Sequence, residues 1–322
     1  MRFEILISAP YFLPVVTEFE PVFQKYGMRL ITPIVKERLT EADLMPLVDT
    51  LDGAICGDDA FTEAVLRKAM KLKVISKWGT GTDSIDKEAA KRRGIKVLNT
   101  PDAFSQPVAD SVLGYVICFA RRLVTMDREM RKAEWKKSLA PSLSECTLGV
   151  IGIGNVGKQV VRRAKAFGMT VLGNDIIEIP EEFVRETGVE LVTKDEIYAR
   201  CDFISINCDL NRTSYHLIGE RQLGQMKSSA YVINTARGPI VDETALVGAL
   251  QAGQIAGAAL DVFEVEPLPL ESALLSMDNV MLAPHNANSS PKAWQFVHRN
   301  TILNLCRGLG IEDAEHSLEV VG

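Results

Sequence analysis

Residues 147–175 read TLGVIGIGNVGKQVVRRAKAFGMTVLGND, and this stretch decides the fold. A short apolar run ends at Gly152, Gly154 and Gly157, spaced as G-x-G-x-x-G. A helical pattern follows, and a second apolar run ends in Asp175. Strand, glycine turn, helix and strand ending in a carboxylate form the signature of a dinucleotide-binding βαβ unit. Each glycine has its own steric duty. Gly152 permits the tight turn, Gly154 lets a pyrophosphate approach the backbone, and Gly157 lets helix and strand pack closely. The N–H groups of Asn155 and Val156 then open the helix, where backbone donors and the helix dipole favour an anion. Asp175 is placed to accept from the adenosine ribose hydroxyls and to repel a 2′-phosphate. Ile176, Ile177 and Glu178 follow it, with no arginine to receive that phosphate, so the expected cofactor is NAD and not NADP. Arg162 and Arg163 read as surface charges on the helix.

Outward from this unit, apolar strand-like runs alternate with helical patterns in both directions. FEILIS, MRLITPI, LDGAICGD, KVISKWG and IKVLNT give five strands before residue 101. Thr40 with Asp43, and Thr62, mark helix starts between them. After residue 147 the strands are TLGVIGIG, MTVLGND, FISINC, AYVINTA, AGAALDVF and VMLAPH. Such alternation predicts an α/β fold of two doubly wound parallel-sheet domains. Between them NTPDAFSQPVADS, punctuated by Pro101 and Pro107, reads as a boundary, and a long helix runs from about Ser105 to Arg122. A single helix, about Pro291 to Arg307, closes the chain and is expected to pack back on the first unit. The expected division is a discontinuous substrate-binding domain, 1–103 with 288–322, around a dinucleotide-binding Rossmann domain, 104–287. The two crossings would form a hinge around a ligand cleft.

At 322 residues two domains are expected, taking ~150 residues per domain. The net charge of −6 and the lack of a basic block argue against nucleic acid. VLGYVICFA, the longest apolar run, is too short to span a bilayer and reads as a buried helix. Cys56, Cys118, Cys146, Cys201, Cys208 and Cys306 are scattered without C-x-x-C spacing, and no leader pattern opens the chain, which reads as reduced thiols in a cytoplasm. No metal-ligand spacing stands out.

Four strand ends of the second unit are polar: INCD with Cys208 and Asp209, VINTARG with Arg237, ALDVFEVEP with Asp261, Glu264 and Glu266, and LAPHN with His285. In open α/β sheets ligands meet the carboxyl ends of strands. Reduction of a ketone by hydride leaves an alkoxide that needs a proton, and histidine is the natural donor. A carboxylate on its other ring nitrogen fixes the tautomer and favours the protonated form. An arginine can clamp a 2-oxoacid and polarise its carbonyl. His285 is therefore the expected proton donor. His216 in NRTSYHLIG, His298 on the last helix and His316 near the end are weaker candidates.

KWGTGTDSID, VADSVLGYVICFARR, RKAEW, LGVIGIGNVGK, VINTARGPIVDETAL, ALDVFEVEP and LAPHN together resemble the D-2-hydroxyacid dehydrogenase family, which includes D-3-phosphoglycerate dehydrogenases and glyoxylate/hydroxypyruvate reductases. The resemblance covers nearly the whole chain. It implies a flavodoxin-like substrate domain, a homodimer through the long helix after Pro107, and a small 2-oxoacid or 2-hydroxyacid as substrate. It further implies that Arg237 binds the substrate carboxylate and carbonyl, that Glu266 rather than Glu264 pairs with His285, and that His285 is the acid/base. Asp261 and the backbone near Thr235 and Ala236 would contact the nicotinamide amide, Cys208 and Asp209 would flank the cofactor, and Thr80 and Gly81 would offer amides to the substrate carboxylate. Glycines at that turn let backbone donors approach an anion.

The chain departs from the family pattern at several places. Ala109-Asp110-Ser111 replaces an AEH-like triplet, Asp209 takes the place of a proline, Asn286 and Asn288 follow the histidine, and Lys77-Trp78 precedes the glycine turn. Two other readings compete with the enzyme: an NAD-sensing binding protein of the corepressor type, and a phosphite-type dehydrogenase. The intact Arg237, Glu266 and His285 speak against a pure binder and leave phosphite oxidation open.

Overall fold

The computed structural model describes residues 2–315. Two compact units form: one from the residues up to Ala103 together with those from Ser290 on, the other Phe104–Ser289. The return to the first unit thus falls at 289/290, against an expected 287/288. Residues 316–322 of the expected substrate domain lie outside the described residues.

In the first unit, β1 (Phe3–Ile7), β2 (Met28–Ile31), β3 (Gly53–Cys56), β4 (Val74–Lys77) and β5 (Lys96–Leu98) pair in parallel, in the order β2-β1-β3-β4-β5. This is the flavodoxin-like strand order. Both faces of such a sheet are covered, so its central strands are largely buried; β3 and β4 are buried at every position. Thr40 forms a capping box with Asp43, and the Thr62 side chain accepts from the Val65 N–H, so both helix starts are where the sequence marks them. The closing helix, Pro291–Gly308, lies on β3, β4 and β5. Ser76 Oγ donates to the Thr301 carbonyl at 2.7 Å, tying helix to sheet.

In the second unit, β6 (Thr147–Ile151), β7 (Thr170–Asn174), β8 (Glu190–Leu191), β9 (Phe203–Ile206), β10 (Tyr231–Asn234), β11 (Gly257–Leu260) and β12 (Val280–Leu282) form one parallel sheet in the order β12-β11-β10-β9-β6-β7-β8. The order reverses between β6 and β9, the switch point at which such sheets open a crevice for ligand. The long helix Ser105–Ala120 packs on the glycine-turn helix Asn155–Ala166 through Ala109, Val112, Leu113 and Val116 against Val160, Val161 and Ala164. It stops short of the expected Arg122, whose φ of 53° breaks the helix before a second one, Leu123–Arg131.

Candidate active site

The glycine turn is built as its spacing requires. Gly152 has φ +90°, and a Cβ there would lie 2.6 Å from the Cys208 nitrogen. A Cβ on Gly157 would lie 2.0 Å from the Gly152 carbonyl oxygen. Gly154 differs, since a Cβ there meets nothing within 4 Å. Protein packing makes no demand for glycine at 154, whereas a bound pyrophosphate would. Asn155 and Val156 start the following helix. Asp175 accepts from the Ile153 N–H at 2.5 Å through Oδ2 and from the Ile177 N–H at 3.1 Å through Oδ1, so the carboxylate also braces the turn. Beside it opens a cleft of about 540 Å³ whose lining includes Asp175, Glu178, Glu196 and Thr193.

The polar strand ends gather at the carboxyl edge of the same sheet. After β9 come Cys208, whose thiol burial pushes up to about 11, and the exposed Asp209, whose carbonyl accepts from Ser214 Oγ at 2.6 Å. After β10, the buried Asn234 shapes the turn: its Oδ1 accepts from the Ala236 N–H (3.1 Å) and its Nδ2 donates to the Arg237 carbonyl (2.8 Å). The buried Thr235 Oγ1 has no hydrogen-bond partner among the described residues. Arg237 Nη1 donates to the Ala236 carbonyl at 2.8 Å. A Cβ on Gly238 would lie 1.9 Å from the Phe263 carbonyl atoms, so the arginine turn and the loop after β11 meet backbone to backbone.

That loop carries the carboxylates. Glu266 Oε1 accepts from the Phe263 N–H at 2.9 Å, and Oε2 lies 3.0 Å from His285 Nδ1. A carboxylate at Nδ1 fixes the tautomer and orientation of the ring. The two side chains are each 22% exposed, shielded yet reachable. Glu264 is engaged elsewhere: its Oε1 lies 2.7 Å from His216 Nε2. Of the two glutamates in DVFEVEP, the second is the partner of His285.

Asp261, 1% exposed, accepts from the Asn286 N–H at 2.8 Å and from the Ala287 N–H at 3.0 Å. Its carbonyl accepts from the His285 N–H at 2.8 Å. Both ends of the residue therefore anchor the histidine loop, a duty its expected nicotinamide role did not include. Burial raises its pKa, against the two backbone donors, which lower it. Ser111 Oγ donates to the carbonyls of Pro107 (3.1 Å) and Ala287 (3.4 Å), touching the same loop from the long helix.

Thr80 and Gly81 belong to the first unit, just after β4. Thr80 Oγ1 donates to the Thr100 carbonyl at 3.2 Å, and the Thr80 carbonyl accepts from Asn99 Nδ2 at 2.6 Å. Lys77 is buried and paired with Asp58 at 3.1 Å. Trp78, 4% exposed, donates from Nε1 to His298 Nδ1 at 3.0 Å and packs between Tyr11 and Trp294. Burial lowers the His298 pKa, and an Nδ1 that accepts a hydrogen bond fits the neutral ring. His316 lies outside the described residues. Among the described residues, no group of three or more His, Cys, Asp or Glu side chains is placed to hold a metal ion. Sequence reasoning missed Asn234, the anchoring by Asp261, and the His216–Glu264 pair. The last had a visible signal, two acids in one E-x-E and a second histidine in the same unit.

The second unit is the nicotinamide-dinucleotide domain of an oxidoreductase. Residues 113–287 match the family model described as "D-isomer specific 2-hydroxyacid dehydrogenase, NAD binding domain". The chain belongs to that family. It is 40% identical over 263 residues to a glyoxylate reductase of Korarchaeum cryptofilum, covering 80% of this chain and 76% of the relative. It is 42% identical over 259 residues to a D-3-phosphoglycerate dehydrogenase of Methanocaldococcus jannaschii, covering 79% of this chain and 49% of that protein, so the chain spans about half the length of this relative. Among solved structures it is similar to a D-lactate dehydrogenase of Aquifex aeolicus complexed with NAD and lactic acid, with a TM-score of 0.86, 26% identity and 97% of each chain covered. Among the described residues no helix is long and apolar enough to cross a membrane.

Proposed function

We propose that the protein is an NAD-dependent 2-oxoacid reductase, interconverting a small 2-oxoacid and its D-2-hydroxyacid, with His285 as general acid/base. The observation that carries this reading is the 3.0 Å contact of Glu266 Oε2 with His285 Nδ1 at the edge of a dinucleotide-binding sheet. When bound, the nicotinamide supplies or accepts hydride at C2 of the substrate. In reduction His285 gives the Nε2 proton to the carbonyl oxygen, and in oxidation it takes the hydroxyl proton back. Glu266 holds the ring and stabilises its charged form. Arg237 clamps the substrate carboxylate and polarises the carbonyl, aided by the amides of Thr80 and Gly81.

For the cofactor, Gly152, Gly154 and Gly157 shape the pyrophosphate turn, and Asn155 and Val156 offer N–H groups. Asp175 receives the ribose, Cys208 and Asp209 flank the adenosine side, and Thr235, Ala236 and Asp261 lie toward the nicotinamide. The acidic cleft at Asp175 supports NAD over NADP. The first unit is assigned the substrate and the second the cofactor. A homodimer through the Ser105–Ala120 helix and a cytoplasmic setting, consistent with six free cysteines, complete the reading.

The test is NADH and NADPH oxidation with glyoxylate, hydroxypyruvate, pyruvate and phenylpyruvate. His285→Ala is expected to lower kcat by ~10²–10⁴, the usual worth of general acid–base catalysis, while NADH still binds. Turnover that survives the substitution on every oxoacid overturns the assignment.

A further inference from the structure

The second unit holds another histidine–carboxylate pair. His216 Nε2 lies 2.7 Å from Glu264 Oε1, and Nδ1 lies 3.8 Å from Asp242 Oδ2. Glu264 Oε1 also accepts from the Glu243 N–H at 3.3 Å, and the Glu264 N–H donates to Glu243 Oε2 at 3.2 Å. The His216 N–H donates to the Pro239 carbonyl at 2.9 Å, two residues past Arg237. Three segments thus converge: the loop after β9, the arginine turn and the loop after β11.

The conformation at 216 is informative. His216 has φ +48°, which glycine or asparagine adopts at lower cost. A turn alone would not call for histidine. The ring stacks on Tyr215, with centroids 4.0 Å apart, and faces Glu264. Two residues further on, Glu266 turns to His285, with its other oxygen on the Phe263 N–H. The loop is therefore gripped at 264 from one side and used at 266 on the other.

We propose that His216 and Glu264 are positioning residues that fix the loop 263–267 and through it set Glu266 against His285. The proposal rests on the acid–base reading given above. Removing His216 takes away the ring that stands between Glu264 and Asp242 and leaves Glu264 beside Glu243 without it, and like charges so placed push apart. The loop then shifts, and Glu266 loses its alignment on the imidazole.

The test uses purified full-length protein, NADH and glyoxylate or hydroxypyruvate. His216→Ala and Glu264→Ala are each expected to lower kcat about 10-fold, less than the ~10² that a 1 Å misplacement can cost. NADH affinity, read by its fluorescence, should change less than about 2-fold, a bound set by the glycine turn and Asp175 lying on other loops. Glu264→Gln keeps an acceptor for the His216 ring and the Glu243 N–H, and should restore most of kcat. The deciding arm is His216→Ala on a Glu266→Gln background, where no further loss is expected. Unchanged kcat in both alanine variants, a repeated full loss on the Glu266→Gln background, or a loss that Glu264→Gln fails to rescue each overturns the proposal. If Glu266→Gln itself leaves kcat unchanged, the acid–base reading has failed at its source, a separate result from failure of the positioning role.

Discussion

His285 holds φ +51°, a conformation that costs a non-glycine residue of order 1–3 kcal/mol and persists only when its surroundings over-determine it. They do so here through Asp261, whose carbonyl binds the His285 N–H and whose carboxylate binds the next two N–H groups. A pH prediction follows from that burial. Asp261 titrates above its ordinary value of 3.8, so the folded protein binds the proton more tightly than the unfolded chain does. Stability from this group is then full below the unfolded pKa and is lost as pH rises through the folded one. Asp261→Asn removes the titration and leaves one N–H without an acceptor, a pH-independent cost of about 1–3 kcal/mol. Urea denaturation from pH 4 to 7 should show the wild-type advantage over Asp261→Asn shrinking as pH rises. An advantage that grows with pH contradicts the assignment. The Glu266–His285 contact was legible in the sequence, since both residues follow strand ends of the second sheet and the family pattern singles out the second glutamate. Asn234, His216 and the anchoring role of Asp261 were not. Their meaning comes from loops that meet only in the folded chain, such as 216 with 264 or 261 with 287.

At the scale of elements, the glycine turn separates packing from binding within three residues. Gly157→Ala drives a methyl into the Gly152 carbonyl, 2.0 Å away, and backbone cannot yield cheaply. A loss of about 1–3 kcal/mol in stability is expected, the range for overpacking. Gly154→Ser meets open space at an N-cap, where serine is favoured, so stability should hold within about 0.5 kcal/mol. The same serine stands where the pyrophosphate would approach, so NADH affinity should fall, read by fluorescence titration beside a thermal melt. An unchanged affinity in Gly154→Ser removes the phosphate from this turn. Most elements were legible from apolar runs and capping residues, Thr40 and Thr62 among them. The two-residue β8 was too short to leave a pattern. The break at Arg122 carries neither glycine nor proline, so nothing local announced it.

At the scale of the molecule, the helix Ser105–Ala120 poses a question that packing inside one chain does not answer. Gly114 sits in its middle and is exposed, and a Cβ there meets nothing within 4 Å. Glycine in a helix interior costs about 1 kcal/mol relative to alanine, and no neighbour in the unit requires it. Further along, Leu123, Val124, Met130, Trp135 and Leu139 are all exposed, more apolar surface than a solvated helix end needs. The dimer proposed above would account for both observations, since glycine lets two helices approach closely. Light scattering should then give about twice the 35.4 kDa of one chain. Gly114→Leu makes the two hypotheses diverge. In a monomer it replaces the poorest ordinary helix former on an open face and should stabilise by about 0.5–1 kcal/mol. In the proposed dimer the added side chain meets the partner helix, so the mass should fall to that of one chain, or the dimer dissociate at higher concentration. A dimer that keeps its mass and gains stability in Gly114→Leu places the interface elsewhere.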